Sequence, residues 1–168
     1  TDSVSMDNIS AEYKMTEYLI ELGHKKIAYV GSINATTSIM DRYLGYRRAL
    51  HHYNILYRED YLIEDRGEDR LFKELALPED MPTAFVCNND EIACILIEKL
   101  EKMGYSVPED ISVTGFDNYP FIRRNASGLT TVDVDIAMMA SEGVELLLER
   151  LNDKRETFVR RVVSGHIV

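Results

Sequence analysis

The sequence predicts an α/β fold, a doubly wound parallel sheet in three αβα layers. Three observations carry that prediction. Stretches of helical periodicity alternate with short β-rich runs. The runs are apolar on both faces, as strands covered by helices on either side must be. Glycines stand where helices stop. In chain order, Ala11, Met15, Tyr18, Leu19 and Leu22 recur at helical spacing, and Gly23 ends that helix. IAYVG over 27–31 is the first strand, and a helix over 38–53 carries Tyr43, Tyr46, Leu50 and Tyr53 on one side. YLIED over 61–65 is the second strand, followed by a short helix over 69–76 that stops before Pro78. TAFVC over 83–87 is the third strand; its helix carries Ile92, Ile95, Leu96, Leu100 and Met103 and is closed by Gly104. ISVTGF over 111–116 is the fourth. After Asn118 the regularity breaks into an extended piece at 130–134, a long helix over 136–151 and a final edge strand over 158–164. No repeat or flexible linker divides the chain.

The 168 residues suit one domain, or one lobe of something larger, at ~150 residues per domain. Hydrophobic residues make up 45% and charged residues 29%, a globular composition. No apolar run approaches the ~18 residues of a membrane span. The opening TDSVSMDN has neither the basic start nor the apolar stretch of a signal peptide. With 19 basic and 29 acidic side chains the net charge is −10, and no Lys/Arg cluster offsets it, so this stretch is not expected to bind nucleic acid by itself. Cys87 and Cys94 form no CxxC and read as reduced, packed thiols of a cytoplasmic protein. His24 follows Gly23 at a helix end, where a cation suits the dipole, and His51 and His52 point to different sides of a helix. No metal site and no cofactor are implied.

In an open α/β sheet, ligands bind beyond the carboxyl ends of the strands. Ser32 and Asn34 follow the first strand, with Ser38, Asp41 and Arg42 opening the next helix. Glu64 and Asp65 follow the second, Asn88, Asn89 and Asp90 the third, and Asp117 and Asn118 the fourth, with Tyr119 and Phe121 behind them. A carboxylate accepts from neighbouring hydroxyls, Asn both donates and accepts, Arg donates in a fork, and aromatic faces pack on sugar rings or bases. The set suits a neutral, hydroxyl-rich ligand. Each residue also has a plainer reading: Asn89 or Asp90 as a helix cap, and Arg42 as a surface ion pair with Asp41 or a carboxylate one turn away. There is no GxGxxG, no Walker sequence and no GxSxG. Asp90 and Asp117 are the one carboxylate pair that a glycosidase could use, but such pairs are common in sugar sites without catalysis, so no enzyme is expected.

GHKKIAYVG, DRYLGYRRAL, PTAFVCNNDEIA, GYSVPEDISVTGFDN and GLTTVDVD, in this order and spacing, resemble the LacI/GalR family of bacterial transcription regulators over essentially the whole chain. The resemblance implies one lobe of a type I periplasmic-binding-protein-like fold. It implies an effector, a sugar or related polyol, bound between two lobes, and a cytoplasmic homodimer that meets operator DNA through a separate N-terminal domain. The chain begins near the crossover between lobes, at SVSMDN, so residues 1–168 are expected to be the C-terminal lobe, with 1–10 and 129–135 matching inter-lobe segments and most of the first lobe absent. Matched residue by residue, Ser38 and Arg42 face the effector, Asn89 is the Asn of the ND pair with Asp90 as the helix cap, and Asp117 is the central ligand to a hydroxyl or a purine. After the second strand, EDRGEDRLFKEL places no aromatic at the expected stacking position; Asp65 or Arg66 stands there instead. A sugar-uptake receptor with the same fold is the alternative.

Overall fold

The computed structural model describes residues 1–69, 71–119, 128–152 and 157–168. The chain runs β1 (Ser3–Met6), α1 (Asn8–Glu21), β2 (Ile27–Val30), α2 (Thr37–His52), β3 (Leu62–Ile63), β4 (Ala84–Cys87), α3 (Asp90–Lys102), β5 (Ser112–Thr114), β6 (Val132–Asp133), α4 (Ile136–Asn152), β7 (Arg160–Val163) and β8 (His166–Ile167). The main sheet is parallel with order β3-β2-β4-β5, so the chain winds outward in both directions from β2 and β4.

Side chains alternate across the two central strands and build one core on each face. Ile27 and Tyr29 of β2, with Ala84 and Val86 of β4, pack against Leu19 of α1 and Tyr43, Tyr46 and Leu50 of α2. Ala28 and Val30, with Phe85 and Cys87, pack against Ile92, Ala93, Leu96 and Leu100 of α3. Burial on both faces is why these strands read as unbroken apolar runs. The helices α1 and α2 share one face and approach closely at Gly45: a Cβ there would stand 2.4 Å from the Ile9 carbonyl oxygen and 2.9 Å from the Tyr13 nitrogen. Their N-termini are capped by Asp7, which accepts from Ser10 N–H, and Thr36, which accepts from Ile39 N–H.

Two expectations are corrected and one is made more specific. The segment 69–76 forms no helix among its described residues. It folds back on the end of β3 instead: Gly67 N–H donates to Leu71 O (3.0 Å), Lys73 N–H donates to Asp65 O (3.0 Å), and Arg66 bridges Phe72. Burial of Leu75 in the α3-side core fixes it there. The C-terminal strand is an edge strand, but of a second sheet and not of the main one. β7 pairs in parallel with β1, from Ser3↔Arg160 to Met6↔Val163, in a separate two-stranded sheet on which α4 lies. β6 and β8 form an antiparallel pair of their own. Finally, His24 is no helix-end cation. Its ring bridges Thr83 Oγ1 (2.9 Å) and Ser112 Oγ (3.1 Å), and burial lowers its pKa, so the neutral ring ties the starts of β4 and β5 together.

The contact at Gly45 makes a sharp prediction. Gly45→Ala should destabilise the fold by about 1–3 kcal/mol, because the methyl must push two helix backbones apart. Gly143→Ala in α4, where an added Cβ meets nothing within 4 Å, should gain up to ~1 kcal/mol of helix propensity. Urea unfolding of the two variants checks both signs; equal midpoints would contradict the close approach.

Candidate functional site

The carboxyl ends of β2, β3, β4 and β5 open on one rim, and the residue that ties the rim together is Arg42, in the second turn of α2. Its Nε donates to Asn8 Oδ1 (3.0 Å), Nη1 to the Asn88 carbonyl, and Nη2 to Asp117 Oδ1 (3.0 Å). The guanidinium lies 3.7 Å from the centroid of the Phe116 ring. One side chain therefore joins the start of α1, the end of β4 and the turn after β5. The plainer reading of a pair with Asp41 is displaced: the partner is Asp117, 75 residues away in sequence.

Asp117 is held in an unusual backbone. It and Asn118 both have positive φ (103° and 52°), which a non-glycine residue adopts only when its surroundings impose it. Asp117 N–H donates to Val132 O (3.0 Å), and Asn118 Nδ2 donates to Asp133 Oδ1 (2.5 Å), so β6 imposes the turn. The Arg42 side chain is 11% exposed and that of Asp117 39%. Among the described residues nothing donates to Asp117 Oδ2. Burial pushes the Asp117 carboxyl above the usual range, Arg42 opposes the rise, and Asp90 adds to it.

The other expected residues divide. Ser38 lies half-buried in the first turn of α2, four residues before Arg42 and so on its face. Asn89, not Asp90, caps α3, its Oδ1 accepting from Ile92 N–H (2.9 Å). Asp90 is buried within the helix's first turn and holds two other segments: Thr131 Oγ1 donates to it at 2.5 Å and Tyr119 N–H at 3.1 Å. Only glycine fits at 115, since a Cβ would stand 2.2 Å from Asp90 Oδ1. Asp65 is fully buried. It accepts from Ser32 N–H (2.7 Å), Asn88 Nδ2 (3.3 Å) and Arg66 Nε (3.2 Å), joining the ends of β2, β3 and β4. It is a brace of the rim. Arg66 lies 4.5 Å over the Phe72 ring, beside a cleft of about 540 Å³ lined by Ser32, Asn34, Glu64 and Lys73. The back-folded segment thus brings an aromatic next to Arg66, where the sequence showed none. Phe121 lies outside the described residues.

Sequence reasoning missed Asn8 and Glu12. Both lie on the face of α1 that meets α2. Glu12 is fully buried, and neither of its oxygens has a hydrogen-bond partner among the described residues. Burial raises its pKa to about 8, against the opposing charge of Arg42 and with a contribution from Asp117. A Glu in a helical pattern usually marks the solvated face, so nothing local announced it.

Among the described residues no three His, Cys, Asp or Glu side chains gather as metal ligands, and no helix is long and apolar enough to cross a membrane. The family of periplasmic binding protein-like domains matches residues 16–168. The chain belongs to that family. Within this periplasmic-binding-protein-like family, its relatives are transcriptional repressors. It is 32% identical to the arabinose metabolism transcriptional repressor of Geobacillus stearothermophilus, over 90% of this chain and 43% of that protein. It is 33% identical to the repressor PurR of Aliivibrio salmonicida, over 99% of this chain and 50% of that one. Of solved structures, a complex of the regulator CelR with cellobiose superposes with TM-score 0.85 at 25% identity, over the whole chain and 53% of CelR. A LacI-family regulator of Enterococcus faecium with bound ribose gives 0.81 at 26%, over the whole chain and 64% of the other. The chain spans about half the length of the curated relatives it matches. The expected LacI/GalR resemblance and the doubly wound α/β fold both hold.

Glu12 gives the fold a pH dependence of definite sign. Its folded pKa of about 8 lies above the ordinary 4.5, so the folded state holds a proton that the unfolded state has lost between those values. Stability is full below pH 4.5 and falls as pH rises through 8. Urea midpoints taken from pH 5 to 9 should decline in the wild type, and the difference between wild type and Glu12→Gln should grow with pH. A constant difference would place Glu12 in solvent.

Proposed function

We propose that this chain is the effector-binding and dimerising part of a LacI-type transcriptional regulator, working in the cytoplasm as a homodimer. In that reading a sugar or related polyol binds at the rim. Operator DNA is met through a separate domain, and effector binding changes how the dimer presents its two DNA-binding heads. The observation that carries the reading is the Arg42–Asp117 pair at the carboxyl end of the sheet: a carboxylate fixed by a cation nearly closed to water, with one oxygen open to accept. A fixed carboxylate oxygen suits a hydroxyl donor and repels a phosphate, which favours a neutral ligand. The repressors among the relatives, and the sugars held by CelR and by the Enterococcus faecium regulator, support the same assignment.

The matched relatives are about twice as long, and in this reading a first lobe completes the cleft. The place where it attaches is the β1–β7 pair with α4, whose outer face carries Ile136, Val144, Leu147, Leu148 and Leu151 exposed, with only Leu146 buried among the helix's described side chains. The residues expected as inter-lobe crossovers, 1–10 and 129–135, include β1 and β6, whose Met6 and Val132 share one small core.

Two outcomes are expected. In the full-length protein, a screen of unphosphorylated pentoses, hexoses and disaccharides by thermal shift should find a stabilising sugar. Asp117→Ala should then weaken it at least tenfold by calorimetry, from loss of a charge-assisted hydrogen bond worth ~1.5–3 kcal/mol. Stabilisation by a purine base alone would overturn the sugar assignment. Leu147→Asp should destabilise the full-length protein by more than ~1.5 kcal/mol, well beyond the ±0.5 kcal/mol usual for a surface site. A neutral result would leave α4 uncovered.

A further inference from the structure

The ligand contacts proposed above leave unused one ionisable group beneath them. Glu12 stands one helical turn after Asn8 on α1, and α2 meets it with Gly45, three residues after Arg42. A Cβ at Gly45 would lie 3.0 Å from Glu12 Cβ, so the helices come to backbone contact beside Glu12, whose side chain is fully buried. The groups acting on it are Arg42 from α2, Asp117 from the turn after β5, Tyr29 from β2 and Cys87 from β4. Tyr29 donates its hydroxyl hydrogen to Ile39 O (3.1 Å). Burial pushes both the phenol and the thiol upward, so both stay neutral. Of these groups Arg42 is the one cation.

We propose that Glu12 is a positioning residue for Arg42: on ionising it draws the guanidinium away from Asp117, so that a proton on Glu12 sets how Asp117 is presented to a ligand. In this step the Glu12 O–H bond breaks, its proton passes to solvent and the electron pair stays on the carboxylate. Arg42 keeps all its protons and moves one N–H donor from Asp117 Oδ1 to Glu12. The direction follows from exposure. Asp117, 39% exposed, can replace a lost donor with water, whereas Glu12, fully buried, cannot. An unpaired carboxylate is far costlier in the second place than in the first. By linkage, whatever holds Arg42 on Asp117 also holds the proton on Glu12. The consequence for ligands rests on the site proposed above; the movement of Arg42 needs no ligand.

The test is made on the full-length protein with ¹⁵N-labelled arginine and ¹³C-labelled glutamate, without ligand, from pH 6.5 to 9.5. The Arg42 Nε–H resonance should titrate with a midpoint near 8, matched by the Glu12 carboxyl carbon, and Glu12→Gln should abolish it. In Asp117→Asn, where Arg42 has already lost its anion, the Glu12 midpoint should fall by a pH unit or more. A flat Arg42 resonance in the wild type overturns the proposal, and so does the same titration persisting in Glu12→Gln. Unequal midpoints for Arg42 and Glu12 overturn it even if the variant fails to fold. Failure here leaves the sugar site standing, and failure of the sugar screen leaves this proposal standing.

Discussion

The Arg42 guanidinium is the constraint on which the rest of the rim depends. Its three nitrogens and one of its faces meet different parts of the chain: Asn8 at the head of α1, the Asn88 carbonyl at the end of β4, Asp117 in the turn after β5, and the Phe116 ring. Those parts are brought together by a parallel sheet whose strands all end on the same side, and a cation nearly closed to water then fixes their spacing. Charge-assisted hydrogen bonds in such a place are stronger than their counterparts on the surface, and removing one partner leaves the others with an unbalanced charge. Asp65 performs a parallel role at the other end of the rim, joining β2, β3 and β4 through Ser32, Asn88 and Arg66. The rim is thus braced by a buried carboxylate at one end and a cation nearly closed to water at the other. Asp117, between protein and solvent, is left with an open oxygen.

The strain at Asp117 belongs to the same design. Two successive positive φ values are maintained because β6 accepts from the Asp117 backbone and Asp133 accepts from the Asn118 side chain. Asp90 holds the neighbouring strand end through Thr131 and the Tyr119 backbone. A turn fixed from both sides keeps a carboxylate in one orientation, so little ordering remains for a ligand to impose. Val132 of β6, which accepts from Asp117 N–H, lies four residues before α4, so a change at Asp117 reaches the region where a first lobe would attach through one hydrogen bond and a short stretch of chain.

Much of this was legible in the sequence, and the exceptions have physical causes. The strands β2, β4 and β5 and the helices α1 to α3 announce themselves because both faces of the sheet are covered and the helix periods are unbroken. Arg42 and Asp117, which the structure pairs, stood out in the sequence because the ends of parallel strands are where polar groups gather. The segment 69–76 misled: its charged residues and leucines suit a helix, but backbone bonds of Lys73 to Asp65 and of Leu71 to Gly67 and the burial of Leu75 bend it back on the strand. The pairing of β1 with β7 joins residues more than 150 positions apart and leaves no local mark. Asp65 reads as a rim carboxylate in sequence and proves to be an internal brace. Glu12 could not be seen at all, because a buried acid and a solvated one look alike in a helical pattern.

The measurement that bears most directly on this account is a crystal structure of the full-length protein with the sugar that stabilises it. The account predicts a sugar hydroxyl within hydrogen-bond distance of Asp117 Oδ2, with the Arg42–Asp117 contact lining the cleft between two lobes. The chain also has a groove of about 780 Å³ at the β5 side, between Tyr18 of α1, Leu22 at its C-terminal end, and Cys94, Ile95 and Glu98 of α3. A sugar seated there, with Asp117 untouched, would contradict it.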